Sequence, residues 1–208
     1  MTELNEIQVG LEVGNLASGR RDVLKAGFAA GVATAASLIS TFLFNDFAYA
    51  QNRGRRPGPA PAGGKAGDIK IMNTALALEH QAIAAYDVGA GTGLLKDFPL
   101  EMAKHFQSQH RAHRDLLEET IKKFGGSPVA PLAKYEFDTS KVKTAEDVFI
   151  FALALEAGAA SAYLQTLTSL ATKDLVPVVA GIACDESQHA AALRMALKQQ
   201  PAPDAIVR

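Results

Sequence analysis

Cysteine is nearly missing from this chain of 208 residues: Cys184 stands alone. An internal disulfide is therefore excluded, and so is a zinc site built from several thiolates. Stability has to come from a buried core. Charge of one sign is also lacking, since 21 Lys and Arg face 22 Asp and Glu for a formal charge of −1. That balance offers no electrostatic footprint for a polyanion and argues against nucleic acid as a partner. Period-two alternation, the mark of half-buried strands, is absent after Gly67, while apolar residues recur at spacings of three and four. What is present, 48% hydrophobic and 21% charged residues, suffices for one globular domain and excludes disorder throughout.

The first fifty residues read as an address. Gly19-Arg20-Arg21-Asp22-Val23-Leu24-Lys25 precedes a weakly apolar run from Ala26 to Phe44, and Ala48-Tyr49-Ala50 supplies a small-residue cleavage site. The basic stretch resembles the S-R-R-x-F-L-K pattern of twin-arginine signals, with Gly19 and Val23 as departures. The run of 19 residues approaches membrane-spanning length, but its Gly, Ser and Thr content disfavours an uncleaved anchor. Residues 1–50 are thus expected to direct export through the twin-arginine machinery to the bacterial periplasm or another extracytoplasmic space. Residues 51–67, rich in Pro, Gly, Ala and Arg, cannot bury an apolar face and are expected to be a linker. Removing the three basic and five acidic residues before Gln51 leaves 18 basic against 17 acidic residues, so the remaining domain is still near neutral.

Four segments predict helices over about 68–90, 100–124, 144–171 and 175–199, a domain of residues 68–200 with a short tail at 201–208. Gly125-Gly126 should stop the second helix, and Thr144 with Asp147 three residues on should start the third. Met72, Ala75, Ala82 and Ile83 mark the inward stripe of the first; Met102, Phe106, Leu117, Ile121 and Phe124 that of the second. Phe149, Ala152 and Ala159 do so for the third, and Val179, Ile182, Leu193 and Ala196 for the fourth. Helices one and two, and three and four, are joined closely, whereas 19 residues from Gly125 to Lys143 separate the pairs. One long middle connection is what an all-α four-helix bundle with a single crossover requires. The halves also repeat: Leu76-Ala-Leu-Glu79 through Tyr86 aligns without gaps against Leu153-Ala-Leu-Glu156 through Tyr163.

Within the apolar stripes stand Glu79, His110, His113, Glu156, Glu186 and His189. An ionised carboxylate in a low-dielectric core costs several kcal/mol or gives up its charge, so three such glutamates call for compensation. Metal cations supply it. Bundles with di-iron or di-manganese centres draw a Glu from each of two helices and a Glu-x-x-His pair from each of the other two. Glu79, Glu156 and Glu186-x-x-His189 fit, and His110-x-x-His113 fits with its first position changed. Tyr86 and Tyr163, each two turns beyond a stripe glutamate, are secondary candidates, either as hydrogen-bond donors or redox neighbours beside the centre or as core packing. His80 and His105 fall at the edge of the stripes and are expected at surface or boundary positions. Cys184, about 200° from Glu186 around the helix, is expected to point away from the centre as a small buried hydrophobe.

On these residues the chain resembles the ferritin-like superfamily, in particular exported proteins related to the rubrerythrin and bacterioferritin branches, over Asp68 to Gln199. The resemblance implies that Glu79 and His113 bind one metal, Glu156 and His189 the other, and Glu186 bridges them. His110 stands where the family places a second bridging glutamate. The cofactor implied is iron, two ions per chain, with manganese or a mixed pair as alternatives, reacting with oxygen or peroxide in ferroxidase-type chemistry. The rival expectation is a non-catalytic metal-buffering or envelope-stress module with a degenerate site. Haem is a weaker third, because no residue is singled out as its axial ligand. A homo-oligomer is left open.

Overall fold

The computed structural model describes residues 63–203. The expected export signal, the expected linker up to residue 62 and the tail from residue 204 lie outside the described residues. Four helices follow in order: α1, Gly64–Gly91; α2, Asp97–Lys123; α3, Ala145–Thr166; and α4, Val176–Ala196, the last preceded by single 3-10 turns at Leu167–Ser169 and Lys173–Leu175. Among the described residues there is no strand. α1 packs along α2 and α3 along α4, each pair closed by a short connection, and α1 also meets α3. Two helical hairpins thus face each other, linked by the long crossover between Lys123 and Ala145. Ala145–Ser169 is long and apolar enough to cross a membrane by length and composition, at mean hydropathy 1.5. With Glu156 buried at its middle and α4 packed along it, it serves here as the core helix of a bundle.

Local chemistry sets most of the helix ends. α2 stops where Gly125, at φ +74°, takes the left-handed conformation that costs glycine little. Its amide bonds the Lys122 carbonyl at 2.8 Å and the Gly126 amide bonds that of Ile121 at 2.9 Å, a Schellman turn satisfying two orphan carbonyls. A Cβ on Gly126 would stand 2.6 Å from Ile69 Cγ2 and 2.9 Å from Ile121 Cγ2. Gly126→Ala should therefore destabilise the fold by about 1–3 kcal/mol, read as a lowered denaturant midpoint at unchanged slope; an unchanged midpoint would show that α1 and α2 separate freely at this end. α3 starts at a full capping box, in which the Thr144 side chain accepts from the Asp147 amide and Asp147 accepts from the Thr144 amide.

Five expectations need correction. α1 begins at Gly64, inside the stretch expected to be linker. α3 ends at Thr166 rather than near Ala171, because Asp68 of α1, almost wholly buried, accepts the amides of Ala171 (2.8 Å) and Thr172 (2.9 Å) and draws them out of helical register. α4 closes at Ala196, in a turn where Lys198 at φ +56° occupies the position Gly125 holds in α2. Ala196, placed on the inward stripe, is consequently exposed, as is Cys184.

The apolar core is divided in two. Met72, Leu76, Leu117, Ile121, Tyr163, Val179 and Ile182 fill one end, and Tyr86, Phe106, Val148, Phe149, Ala152 and Leu193 the other. Every helix contributes to both halves. Between them lies a layer of buried charge.

Candidate metal centre

The intervening layer holds Glu79 from α1, His110 and His113 from α2, Glu156 from α3, and Glu186 and His189 from α4, each at most 7% exposed. They arrive there because carboxylate and imidazole three residues apart share a helix face, and because the hairpins place the middle of all four helices at one level. Two overlapping groups have ligand atoms within 4.8 Å of one another: Glu79, His110, His113 and Glu186, and His110, Glu156, Glu186 and His189. His110 and Glu186 belong to both.

His110 spans the cluster, donating from Nδ1 to Glu79 at 2.9 Å and from Nε2 to Glu156 at 3.2 Å, with Glu186 Oε1 at 3.6 Å. Such a double donor is an imidazolium. His113 and His189 instead turn Nδ1 inward, 3.2 Å and 3.5 Å from the two oxygens of Glu186. Their Nε2 atoms are held from behind, His113 donating to Asp185 at 3.1 Å and His189 to the Gln109 carbonyl oxygen at 3.0 Å. Gln109 in turn donates to Asp185 at 3.5 Å, and Phe106 stacks on the His189 ring with centroids 4.2 Å apart. The tyrosines cross between the hairpins: Tyr86 donates to Glu156 and Tyr163 to Glu79. They are thus both core and hydrogen-bond donors to the cluster.

Burial opposes charge on every member, and the neighbours decide which groups stay ionised. For His110, burial is outweighed by the hydrogen bonds to Glu156 and Glu79, which raise its pKa to about 11. The same contest, against Glu186 and Glu79 for His113 and against Glu156 and Glu186 for His189, leaves values of about 10 and about 9. Glu79 and Glu156 are held below the ordinary carboxylate value despite burial, Glu79 by His110 and His113, and Glu156 by the adjacent Glu186 and by hydrogen bonds from His110 and His189. Glu186 goes the other way, to about 7, through burial and the proximity of Glu156. Burial, then the adjacent glutamates, push both tyrosines well above the usual phenol range.

Among the described residues, the buried side-chain polar atoms with no hydrogen-bond partner are His113 Nδ1 and both carboxylate oxygens of Glu186. All three point into this layer. His113 Nδ1 and Glu186 Oε1, though close, do not align as donor and acceptor. Orphaned buried groups cost about 1–3 kcal/mol each, and a cation at their meeting point would satisfy all of them. Residues 67–199 match the family model described as a ferritin-like domain. The chain belongs to the ferritin-like family. Within the solved structures, this ferritin-like domain is similar to a conserved hypothetical protein, rv2844, from Mycobacterium tuberculosis. That likeness has a TM-score of 0.59 at 21% identity and covers 69% of this chain and 99% of the other; it shows the fold. No curated protein matches the chain.

All six stripe residues of the ferritin-like domain therefore meet in one layer. His105 lies exposed, as its stripe-edge position suggests. His80 does not lie on the surface: it is 7% exposed, its Nε2 donating to the Val129 carbonyl at 3.2 Å beneath the crossover. Asn73 pins the same strap, bonding Ser127 and Val129. Sequence reasoning missed Asp185 and Gln109, which sit one residue ahead of Glu186 and His110. Extending the internal repeat to the second helix of each hairpin, with Gln109-His110 over Asp185-Glu186, would have marked both.

Proposed function

We propose that this protein is an exported ferritin-like metal protein that binds two divalent transition-metal ions per chain, iron first, with manganese or a mixed pair as alternatives. The orphaned atoms of His113 and Glu186 carry this reading, because they have no hydrogen-bond partner and, once His113 gives up its proton, offer the lone pairs a cation needs. Carboxylate and imidazole donors suit these metals. Glu79 and His113 would hold one ion and Glu156 and His189 the other, with Glu186 between them; His110 could ligate as a neutral imidazole but would not bridge the pair as a carboxylate does. Asp185 and Gln109 hold the Nε2–H of His113 and His189, so that the proton a cation would displace is the one on the inward Nδ1, a second layer that orients ligating histidines. Tyr86 and Tyr163 fix the rotamers of Glu156 and Glu79. When bound, such an ion pair supplies one-electron redox chemistry toward oxygen or peroxide, and a ferroxidase-type oxidation is the activity proposed. The two half-cores above and below the layer exclude bulk water from it.

A second reading is favoured by His110, whose bonds to two glutamates already neutralise part of the cluster: a metal-buffering or envelope-stress module without turnover. Anaerobic loading with iron(II), then metal analysis and oxygen uptake, separates the two. One to two ions per chain (roughly, from the bundle template) with oxygen consumption supports oxidation, ions without consumption support buffering, and Glu186→Gln should abolish retention of both ions. Metal content near zero would refute either metal role. Export through the twin-arginine route is proposed from Arg20 and Arg21; replacing both by Lys should hold the precursor in the cytoplasm, and unchanged delivery would mean that another route reads the signal.

A further inference from the structure

The internal repeat, carried onto the folded chain, sets like residues against each other across the seam between α1 and α3. At the offset that relates Glu79 to Glu156, Leu78 corresponds to Leu155 and Ala82 to Ala159. These four wall a gap of about 20 Å³, with Gln81 beside them and His110 and Glu156 at its inner end. Leu78, Gln81, Ala82 and Ala159 are partly exposed, whereas Leu155, His110 and Glu156 are buried. The gap therefore leads from the surface of the seam to the charged layer. On the other side of Leu78 a second gap, of about 40 Å³, reaches Tyr163, whose hydroxyl bonds Glu79.

A water-sized molecule needs ~10–15 Å³, so the first gap has room for one small molecule at a time. Short of His110 and Glu156, its walls are four aliphatic side chains and one neutral amide. A divalent cation passing there would exchange its hydration shell for hydrocarbon with no charge to compensate it. Hydrogen peroxide would leave donors and acceptors unpaired along the same walls. Dioxygen carries neither charge nor donor and gains by leaving water for an apolar space. The far side of the layer differs in kind: between α2 and α4, Gln109 and Asp185, the latter's side chain 31% exposed, set polar oxygens against His189 and His113. We infer that the gap between α1 and α3 is the entrance for dioxygen, that it excludes the metal ion, and that Ala82 and Ala159 set its width. The reaction at its inner end rests on the metal reading; binding of the gas does not.

The full chain freed of metal is tested first, under dissolved oxygen, whose paramagnetism speeds the relaxation of nearby methyl protons. The oxygen-induced relaxation of the Leu155 methyls should exceed that of the equally buried Val148 and Ala152 on the same helix about fourfold, the gain from moving roughly one methylene's worth of surface out of water. Ala159→Leu, which fills the gap, should remove the excess. Ala82→Val narrows it from the opposite wall with less added bulk and should reduce the excess, while Leu78→Ala, which joins the two gaps, should raise it. After anaerobic loading with iron(II), at unchanged stoichiometry, Ala159→Leu should slow oxidation by dioxygen about tenfold or more, the scale of displacing a packed side chain. Oxidation by hydrogen peroxide should be unaltered in the same variant. No excess at Leu155, or an excess that survives both Ala159→Leu and Ala82→Val, overturns the gas site. An unchanged dioxygen rate overturns the route, and equal slowing of the two oxidants overturns its selectivity. Metal content near zero with the Leu155 excess intact refutes the metal reading and leaves gas binding in the gap standing, so the two failures are distinct.

Discussion

Metal-free protein titrated with iron(II) at pH 7 in the absence of oxygen should release about three protons per chain, because ligand imidazoles must be neutral to bind. His110, His113 and His189, with pKa values of about 11, 10 and 9, are all protonated at that pH, and Glu186, at about 7, is half protonated. Apparent affinity should then rise with pH by about tenfold per unit for each proton displaced. The metal-free fold responds in the opposite sense. A histidine whose pKa is raised on folding stabilises fully below its unfolded value of 6.5 and ceases to do so as pH climbs through about 9 to 11. Glu186 acts in the same direction between 4.5 and about 7, while the depressed Glu79 and Glu156 stabilise above 4.5 and lose that contribution as pH falls. Melting temperature without metal should fall from neutral to alkaline pH, and the increment on adding metal should grow. An affinity independent of pH between 6 and 9 would show that the imidazoles do not ligate.

Replacing His110 by glutamate should have an effect of similar size and of opposite sign in the two states. In the metal-free protein it removes the cation bonded to Glu79 and Glu156 and adds a fourth carboxylate to a layer with two imidazoles left. Breaking a buried pair in this way costs about 3–5 kcal/mol unless the new group takes up a proton. With metal present the added charge lies between two cations. The second ion should bind more tightly, and oxygen-dependent oxidation should increase. Anaerobic iron(II) titration by calorimetry, oxygen uptake, and melting with and without metal compare the two forms; His110→Gln, which removes the cation without adding charge, isolates the first effect. If stoichiometry, affinity and the metal dependence of melting are all unchanged by His110→Glu, His110 plays no part in holding metal.

The six clustered residues were legible because charge in an apolar stripe is anomalous whatever the tertiary structure, and the hairpin repeat set Glu79 against Glu156. Gly125 and Thr144 were legible for a related reason, since turn and cap chemistry is decided within a few residues. What escaped depends on distance along the chain. The end of α3 is set by Asp68, 103 residues before Ala171, and His80 is buried only because the crossover folds back to offer it a carbonyl. Asp185 and Gln109 lie about 100° off the stripe, where polar residues raise no question; their role exists only once the opposite hairpin brings His113 and His189 against them. Cys184 was expected to face away from the centre, and it does, but the same rotation carries it out to solvent.

The divided core has a consequence for how the protein comes apart. Since all four helices feed each apolar half, each half can in principle stay closed while the other opens, and the charged layer is what joins them. Amide exchange should reveal this as opening units, the roughly contiguous sets of amides that exchange together. Without metal, the amides around Tyr86, Phe106 and Leu193 and those around Met72, Leu117 and Val179 should exchange with separate opening free energies. A cation gripped by residues from both hairpins would merge the two sets into one, so cooperativity itself, and not only stability, becomes a readout of whether the centre is filled.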